Sequence, residues 1–482
     1  MSPLTLTIVL CCIAGCFLAS ALKYSATKRP PGPRRFPIIG NALQIPKSYE
    51  WETLSRWAKE YGNIVYLEAF RTPVMLLNSV EAAKQLLEQR SAIYSNREYL
   101  ERSGFDEAFV LQQYNNDNWR QERKIISQDL SSRSVSKYNA FLEQEARVLV
   151  RAVTDNPSEL NQLVTERIGT ILIRVFYGYY VNKSDDPFLT LIRASMNIFS
   201  QAAASGVWAV DSVPILKYLP TWLPGTSSLS TAQRWRNLVC KAVWAPYSWA
   251  KKAVKTGNNL IPNTCSKTFE NFGEAISSEQ EHQLAWAAGT MTAGGLETGI
   301  IGTLNFFLAM LLHPEVQKKV QEEITATIGR ERLPTIADKP NLPYVRSIVT
   351  EVLRLNPPVP LGVAHSLSQH DVYKDMHIPK GTIVVANIWH MLHDPSRFPN
   401  PTSFNPDRYD NLAPKMEDVT NIVFGFGRRT CPGQALAENM LFIIAATVLA
   451  TCHIRPKIGE DGRDVVSLAV CMQYRTPSRR LG

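Results

Sequence analysis

The chain has 482 residues, of which 45% are hydrophobic and 20% are charged. This is the composition of a folded globular protein with a large core, and it excludes an intrinsically disordered chain. The formal net charge is +9. The basic residues are dispersed and no nucleic-acid-binding motif accompanies them, so we expect an anionic membrane face or an acidic protein as the partner. No Cys-x-x-Cys pair occurs among the eight cysteines, which argues against a structural zinc site or a disulfide framework.

Near the N-terminus lies an apolar stretch without charged residues, Leu4–Leu22, which has the length of a membrane-spanning helix. Basic residues follow it, and the positive-inside rule then keeps the rest of the chain in the cytosol. A cleaved signal peptide is the alternative, because Ala19-Ser20-Ala21 resembles a cleavage site. Signal peptides usually have a basic start, which is missing here, so we favour an uncleaved anchor.

The proline-rich segment Pro30–Pro33 cannot continue a helix and predicts a stiff hinge after the anchor. An ordinary linker is the alternative. We expect three parts: a transmembrane anchor over residues 1–22, a basic and proline-rich hinge over 23–40, and one domain over 41–482.

Short alternating segments and long helical patterns make up the rest of the chain. Residues Ile64–Leu67 and Val74–Leu77 alternate in the manner of a small β-hairpin. Helical patterns dominate, as at Leu142–Val153 and Val316–Ile328, and a strand pattern returns near Thr382–Ala386. The predicted fold class is mainly α with small β-sheets.

One internal segment, Leu284–Leu312, is long and apolar enough to span a bilayer. It contains a single charged residue, Glu297, near its middle. A carboxylate is costly in lipid without a functional reason. We therefore predict a long buried helix through the core instead of a second membrane span.

The segment Phe424–Gly433 places one cysteine, Cys431, among glycines and arginines. Glycines permit tight turns and close approach, and the apolar stretch Ala435–Ala450 that follows has the length of a helix. The backbone N–H groups at a helix N-terminus stabilise a thiolate just before it. A buried structural cysteine, a nucleophile and a redox thiol are the alternatives, but no partner base accompanies Cys431. The arrangement predicts an axial ligand to haem iron.

This segment resembles the haem-binding signature of the cytochrome P-450 family, Phe-x-x-Gly-x-Arg-x-Cys-x-Gly, and matches it from Phe424 to Gly433 without departure. The resemblance implies the cytochrome P-450 fold, with haem b between a long central helix and the loop and helix of the cysteine ligand. It also implies that Cys431 is the metal ligand and that Phe424, Gly425 and Gly433 contact the cofactor.

Within the long apolar segment, Gly294–Thr298 resembles the family's oxygen-activation motif, a glycine pair before an acid and a threonine. Glycine in a helix interior costs about 1 kcal/mol relative to alanine, so an adjacent pair requires an explanation. The resemblance implies that the glycines leave room for dioxygen and that Glu297 and Thr298 are catalytic and supply protons. A glycine pair used only for helix packing is the alternative.

Glu351 and Arg354 are three residues apart in the predicted helix Val345–Leu355, so they share one face. Together with Arg408 in the segment Phe404–Arg408, they resemble the family's buried Glu-Arg-Arg network. This resemblance implies structural support of the cysteine loop, because breaking a buried ion pair leaves an uncompensated charge. A surface ion pair that contributes little stability is the alternative.

Haem propionates require cations, and the family pattern assigns four residues of this chain to them. These residues are Trp119, Arg123, His365 and Arg429. Trp119 and Arg123 match the family's Trp-x-x-x-Arg motif, with a cation–π or packing pair on an ordinary helix as the alternative. His390 and His393 have the spacing of metal ligands, but they lie in a structural stretch of the family, and we predict that they are not ligands.

The resemblance covers nearly the whole chain and implies a membrane-anchored haem-thiolate monooxygenase that uses O2 to oxidise an apolar small molecule. NADPH-derived electrons would come from a separate cytochrome reductase, since the chain has no nucleotide-binding glycine fingerprint. The segment Pro30–Leu43 is similar to that of fungal enzymes acting on secondary metabolites such as terpenoids, polyketides or alkaloids. The implied location is the endoplasmic reticulum membrane, with the catalytic domain facing the cytosol.

Two other functions stay open. A haem-thiolate isomerase or dehydratase acting on a peroxide would keep the fold, but such relatives usually lose the acid–threonine pair, which is intact here. A haem-binding membrane carrier or sensor would need no proton relay.

Family position also assigns a substrate pocket, to segments that are mostly apolar, as ligand pockets usually are. These segments are Phe105–Tyr114, Val207–Val213, Leu361–Ala364 and Ala469–Met472. The loop with Trp222 and Leu223 either belongs to the core or touches the membrane beside the substrate entrance.

Overall fold

The computed structural model describes residues 29–37, 39–46, 48–97, 104–181, 183, 185–202, 227–258, 261–272, 276–409, 413–458 and 464–465. Several predicted features lie outside these residues. They are the anchor at Leu4–Leu22, the loop with Trp222 and Leu223, and the pocket segments Val207–Val213 and Ala469–Met472. The division into anchor, hinge and one domain therefore stays a prediction.

Helices dominate the described part of the chain, which confirms the predicted fold class. The α-helices are α1 (Glu50–Tyr61), α2 (Val80–Ala83), α3 (Ser91–Tyr94), α4 (Asp117–Leu130), α5 (Asn139–Asp155), α6 (Leu160–Tyr177), α7 (Pro187–Ala202), α8 (Ser227–Lys255), α9 (Thr264–Phe272), α10 (Ser278–Leu312), α11 (Pro314–Ile328), α12 (Pro343–Leu355), α13 (Ile388–Leu392), α14 (Ala413–Val423) and α15 (Gln434–Thr451). The strands are β1 (Ile64–Ala69), β2 (Thr72–Leu77), β3 (His365–Ser366), β4 (Asp371–Tyr373), β5 (Met376–Ile378), β6 (Ile383–Ala386), β7 (Lys457–Ile458) and β8 (Asp464–Val465). One π-helical turn occurs at Lys84–Gln89, and short 3-10 helices occur at Ser134–Tyr138, Pro157–Glu159, Ile336–Asn341, Pro406–Tyr409 and Gly427–Arg429.

The main sheet has four strands in the order β1-β2-β6-β3, and β4-β5 and β7-β8 form two-stranded sheets. Strands β1 and β2 are antiparallel, with Ile64 opposite Leu77, as the hairpin pattern predicts. Alternating residues of β1 point to opposite faces. Ile64 consequently packs in one hydrophobic cluster, and Val65 packs with Leu54 of α1 in another.

Helix α10 runs through the centre of the fold. It begins with a capping box, in which Ser277 Oγ accepts from the Gln280 N–H at 3.2 Å and Gln280 Oε1 accepts from the Ser277 N–H at 2.9 Å. Helices α4, α6, α7, α8, α12 and α15 all pack against it. A helix packed against neighbours on most sides is apolar nearly all round rather than amphipathic, which explains its membrane-like composition.

Two of the described helices, α10 and α15, have the length and hydropathy of a membrane span. In each of them, 61% of the most apolar window is buried inside the protein. The structure therefore places both in the core, which for α10 agrees with the prediction made from its carboxylate.

Small residues set the spacing between α10 and its neighbours. A Cβ at Gly299 would lie 2.9 Å from Ile168 Cγ2 of α6 and 3.1 Å from Met440 Cε of α15. At Gly302 it would lie 3.3 Å from Leu441, also on α15. Helix α15 is therefore held alongside α10, and the cysteine loop that precedes α15 is brought next to the central helix.

Candidate functional site

The cysteine loop joins α14 to α15, and its turns depend on glycine. Gly425 and Gly427 have φ values of +83° and +59°, which side chains rarely adopt. A Cβ at Gly427 would also lie 2.1 Å from the carbonyl oxygen of Leu87. The N–H of Cys431 donates to the carbonyl of Phe424 at 2.8 Å and closes the loop. This turn presents the cysteine just ahead of the N-terminus of α15.

The sulfur of Cys431 faces a space inside the protein. The residue has exposed surface, yet burial raises the pKa of its thiol. Both hold if the surface opens onto an enclosed space rather than onto bulk water. The N–H groups of Gly433 and Gln434 and the charge of Arg123 act to lower this pKa, but burial prevails. The helix terminus alone therefore does not produce a thiolate, whereas a bound metal cation would.

Helix α10 lies next to this sulfur. A Cβ at Gly433 would lie 3.8 Å from Cys431 Sγ and 3.0 Å from Met291 Cε on α10. One turn further along, Gly294 is exposed, and a Cβ there would meet no atom within 4 Å. At Gly295 a Cβ would instead lie 3.1 Å from a side chain of α6. The glycine pair thus has two roles, since Gly295 packs against α6 and Gly294 leaves open space beside the central helix.

Both predicted catalytic residues lie within one turn of this opening. Thr298 Oγ1 donates to the carbonyl of Gly294 at 2.9 Å, so its oxygen keeps the capacity to accept. Burial raises the pKa of Glu297, and the charge of Arg193 on α7 opposes the rise. A carboxyl group with a raised pKa can carry a proton nearer neutral pH, as a general acid requires.

Two arginines next to the cysteine carry charge that no carboxylate balances. Arg123 Nη2 donates to the carbonyl of Thr430 at 2.8 Å, and Arg429 Nη1 donates to the carbonyl of Phe109 at 3.1 Å. Within the described ranges neither arginine forms an ion pair with a carboxylate. Burial lowers the pKa of Arg123. Burial and the charges of Arg97 and Arg123 lower the pKa of Arg429 to about 8. An anion would be strongly favoured here.

Trp119 and Arg97 lie beside these two arginines. The guanidinium groups of Arg97, Arg123 and Arg429 form a cation cluster. The guanidinium carbon of Arg429 lies 4.7 Å from the Trp119 ring centroid, and the buried Trp119 Nε1 has no hydrogen-bond partner. Arg97 donates to the carbonyl groups of Val363 and Ala364. It was missed by sequence reasoning, because no motif surrounds it and only the fold brings it to the cluster. Arg97 thereby connects the predicted pocket segment Leu361–Ala364 with the arginines next to the cysteine.

His365 is buried beside the same cations. Its Nδ1 lies 2.7 Å from the carbonyl of Tyr94, and a carbonyl can only accept, so Nδ1 carries the proton. Burial, followed by the charges of Arg97 and Arg429, holds the pKa of His365 well below its ordinary value. The ring is therefore neutral with Nε2 as an acceptor, and it can donate to an anion only after gaining a proton.

The predicted network of one glutamate and two arginines lies in the core. Arg354 Nε and Nη2 donate to the two oxygens of Glu351 at 2.8 and 2.9 Å, and both side chains are fully buried. Arg408 Nε donates to Glu351 Oε1 at 3.0 Å, and the Tyr409 hydroxyl donates to Oε2 at 2.8 Å. Both oxygens of the buried Glu351 carboxylate therefore accept hydrogen bonds, and the network is not an exposed surface pair.

This network does not contact Cys431 directly. Arg354 Nη1 donates to the carbonyls of Leu392 and Pro401 at 2.9 and 2.8 Å. Helix α12, which carries Arg354, packs on α14, and α14 ends one residue before Phe424. The predicted support of the cysteine loop would therefore act through α14.

The two histidines with metal-ligand spacing lie in α13 and at its C-terminal end. The ring of His393 stacks on Trp389 at 3.9 Å, and its Nδ1 lies 2.8 Å from the Trp389 carbonyl. Burial lowers the pKa of His390 and that of His393. In the part of the chain that the structure describes, no three His, Cys, Asp or Glu groups could hold a metal ion.

The residues of the site fit a flat iron-bearing cofactor with acidic edge groups. A soft sulfur ligand opens onto an internal space, which is the donor that haem-thiolate proteins use. Gly294 and Gly425 leave room where a Cβ would meet no atom within 4 Å. Arg123, Arg429 and the unpartnered indole N–H of Trp119 supply donors for carboxylates at the edge.

Comparison with known proteins agrees with this geometry. The family profile described as Cytochrome P450 matches residues 30–475. Cytochrome P450 monooxygenase 105 of Postia placenta is 45% identical over 441 residues, which cover 91% of this chain and 84% of that protein. Cytochrome P450 monooxygenase 226 of the same fungus is 44% identical, with the same coverage.

A more distant relative gives the same result. Cytochrome P450 monooxygenase claT of Ampulloclitocybe clavipes is 34% identical over 446 residues, covering 91% of this chain and 86% of its own. The match spans the sulfur loop, the central helix and the buried network together. The chain therefore belongs to the cytochrome P450 family and is a haem-thiolate oxidoreductase of its monooxygenase type.

Proposed function

We propose that this protein is a membrane-anchored monooxygenase that inserts one oxygen atom of O2 into an apolar small molecule. NADPH-derived electrons reach it through a separate flavoprotein reductase. The observation that carries the proposal is the sulfur of Cys431, which opens onto an enclosed space next to the glycine-opened stretch of α10. The proposal extends the shown family membership to a substrate class and to partners.

We assign haem b as the cofactor, with Cys431 as the residue that would bind its iron. Bound haem supplies an iron whose thiolate ligand donates electron density and favours cleavage of the O–O bond. The N–H groups of Gly433 and Gln434 stabilise negative charge on the sulfur. The remaining cofactor contacts are assigned to Trp119, Arg123, His365, Phe424, Gly425 and Arg429.

Glu297 and Thr298 are the proposed proton-delivering residues. The raised pKa of Glu297 lets its carboxyl hold a proton, and the charge of Arg193 stabilises the carboxylate after the proton leaves. The oxygen of Thr298 is fixed by its bond to the Gly294 carbonyl. It can accept from a water while its hydroxyl points along the helix, so it orients a donor at the open side of α10.

Substrate class is inferred from the side chains near the site. Phe105 and Phe109 are buried, and Phe105 stacks edge-on with Phe199 of α7 at 5.3 Å. Such surroundings favour an apolar ligand. Because the relatives named above are fungal proteins, we extend the proposal to a fungal secondary metabolite such as a terpenoid, polyketide or alkaloid.

An electron donor has a suitable surface on the outer side of the cysteine loop. Arg120 and Lys124 are exposed on α4, whose Arg123 contacts the loop, and Arg428 is exposed in the loop itself. A cluster of exposed cations attracts an acidic protein partner. The predicted N-terminal anchor would hold both proteins on the endoplasmic reticulum membrane.

The first experiment replaces Cys431 by alanine and compares it with Cys240→Ala, a half-buried cysteine elsewhere. We expect Cys431→Ala to abolish the red-shifted Soret band of the reduced, carbon-monoxide-bound protein, because that band requires the thiolate. Cys240→Ala should retain it. A red-shifted band that survives in Cys431→Ala would contradict the assignment.

A second measurement addresses the reaction itself. The full chain is expressed with a fungal reductase and supplied with mixed apolar extracts. Products heavier by one oxygen atom, formed only with NADPH, would support a monooxygenase. NADPH-independent turnover of a peroxide without oxygen gain would instead indicate an isomerase or dehydratase.

A further inference from the structure

Glu122 is a fully buried acid that forms no ion pair among the described residues. It lies on α4 between Trp119 and Arg123, and its side chain has no exposed surface. Burial raises the pKa of Glu122 well above its ordinary value, and the nearby Glu107 acts in the same direction. Buried carboxyl groups are rare unless they are paired. The position of Glu122 therefore requires an explanation that the haem assignments do not provide.

The partner of Glu122 is a glutamine from the loop before α4. Gln112 Nε2 donates to Glu122 Oε1 at 3.0 Å and to the carbonyl of Glu107 at 2.6 Å. Two buried atoms of this pair, Gln112 Oε1 and Glu122 Oε2, have no hydrogen-bond partner.

A proton on Glu122 would give both of these unpartnered atoms a hydrogen-bond partner. An ionised carboxylate can only accept hydrogen bonds, whereas a protonated one gains a donor on Oε2. Because Gln112 Nε2 already binds Glu122 Oε1, we infer that the unpartnered Gln112 Oε1 is the acceptor for this donor. The neutral acid and the amide would then bond reciprocally, and each buried polar atom would have a partner.

The same glutamine also holds an arginine of the haem edge. The main-chain carbonyl of Gln112 accepts from Arg429 Nη2, and the carbonyl of Phe109 accepts from Arg429 Nη1 at 3.1 Å. The carbonyl of Val110 accepts from Arg97 Nε at 3.2 Å. Residues 104–116 contain neither α-helix nor strand. The carbonyls of this loop keep their orientation toward the arginines only if the loop is bound to a neighbouring element. The Gln112 side chain provides such a contact, because it donates to Glu122 on α4.

We propose that Glu122 is a positioning residue, held as a neutral acid, that orients Arg429 toward the cofactor through Gln112. The inference rests on the proposed assignment of Arg429 to a haem propionate. Neutrality matters, because Glu122 is joined to Arg429 through a single residue, Gln112, and a negative charge there would compensate positive charge that the propionates require. Glu122 thus orders the loop without reducing the charge of the cation cluster.

The charged groups around Glu122 determine how pH affects the pair. Glu107 faces it from the loop, His282 lies 3.2 Å from Glu107 on α10, and Arg123 and Arg429 lie on the haem side. The folded protein binds the Glu122 proton more tightly than the unfolded chain does. Raising the pH past the folded pKa therefore removes the donor, breaks the reciprocal pair and loosens the loop.

The test uses three variants of the full holoprotein. Glu122→Gln keeps a neutral group that can still bond reciprocally, Glu122→Leu removes the bond, and Asp117→Asn changes an exposed acid on the same helix. The measured quantity is the rate of haem transfer to excess apomyoglobin, from neutral to alkaline pH. It reports on the haem edge independently of catalytic turnover.

We expect the wild type and Asp117→Asn to show a step to faster haem loss as the pH rises through the ionisation of Glu122. Glu122→Gln should keep the neutral-pH rate of the wild type and lack that step. Glu122→Leu should lose haem roughly tenfold faster at neutral pH, as outer-shell substitutions commonly do.

Two results would overturn the inference. One is Glu122→Gln losing haem at neutral pH as fast as Glu122→Leu, which would mean that the charge matters. The other is a pH profile of haem loss in Glu122→Gln that is the same as that of the wild type, since Glu122 would then contribute nothing to it. If Glu122→Leu does not fold, the pH profile of Glu122→Gln alone decides. A wild type without a thiolate Soret band would instead contradict the proposed function, so the two failures are distinguishable.

Discussion

Individual residues of this protein derive their chemistry from neighbours that are distant in the chain. Burial raises the pKa of Glu297 on α10. Burial and the charges of Arg97 and Arg123 lower the pKa of Arg429 to about 8. The neutral state of His365 has the same origin. A motif names the residue type at each position, but burial and neighbouring charge determine its protonation state.

At this scale we predict that Thr298→Ala separates NADPH consumption from product formation. Without the hydroxyl, the proposed proton donor at the open side of α10 loses the oxygen that orients it. Product formation should fall by about 100-fold, the lower end of general acid–base contributions, while hydrogen peroxide accumulates. Thr325→Ala on the surface of α11 is the matched control, because Thr325 makes the same bond to a carbonyl four residues earlier, at 2.8 Å. Unchanged coupling in Thr298→Ala would place the proton relay elsewhere.

At the scale of elements, two devices position the cysteine loop. Glycines on α10 allow α15 to approach closely, and the network around Glu351 joins α12 to the segment that leads into α14. The first sets where the sulfur lies relative to the central helix. The second keeps the chain before the loop in one conformation.

We therefore expect Glu351→Ala to destabilise the holoprotein strongly. It leaves the buried guanidinium of Arg354 without its carboxylate, and removing one partner of a buried pair costs about 3–5 kcal/mol. Glu322→Ala on α11 changes an exposed acid and serves as the control. Thermal unfolding followed by haem absorbance measures the effect. An unfolding midpoint within a degree of the wild type would show that the network does not support the loop.

At the scale of the whole molecule, apolar composition alone does not distinguish core from membrane helices. Helices α10 and α15 both pass as candidate spans, but each is covered by other helices. The predicted single-span topology thus depends on the N-terminal segment Leu4–Leu22.

We predict that deleting residues 1–28 releases most of the protein from sedimented membranes, because the main anchor is lost. A remaining bound fraction should disappear when Trp222→Ser and Leu223→Ser are added, if that loop touches the membrane. The two loop substitutions in the full chain are the control and should leave it bound. Full retention of the deleted protein would contradict the single anchor.

Much of this protein was predictable from sequence, and the reasons are local. The cysteine loop, the glycine pair of α10 and the Glu351–Arg354 pair are short patterns whose spacing expresses turn and helix geometry. Helical and alternating periodicity likewise predicted the buried central helix and the β1–β2 hairpin. These features depend on residues a few positions apart, so their spacing can be read directly from the sequence.

Tertiary structure alone decided the rest. Arg97 and Gln112 carry no motif, and they meet Arg429 only because the fold joins segments that are more than 300 residues apart in the chain. The neutral pair of Glu122 and Gln112 exists because both side chains are removed from water at one place. Burial and the electrostatic effect of distant residues cannot be predicted from the spacing of neighbouring residues in the sequence. The sequence by itself thus determined the family and pointed to one cysteine as the proposed ligand, whereas packing decided which groups carry protons around it.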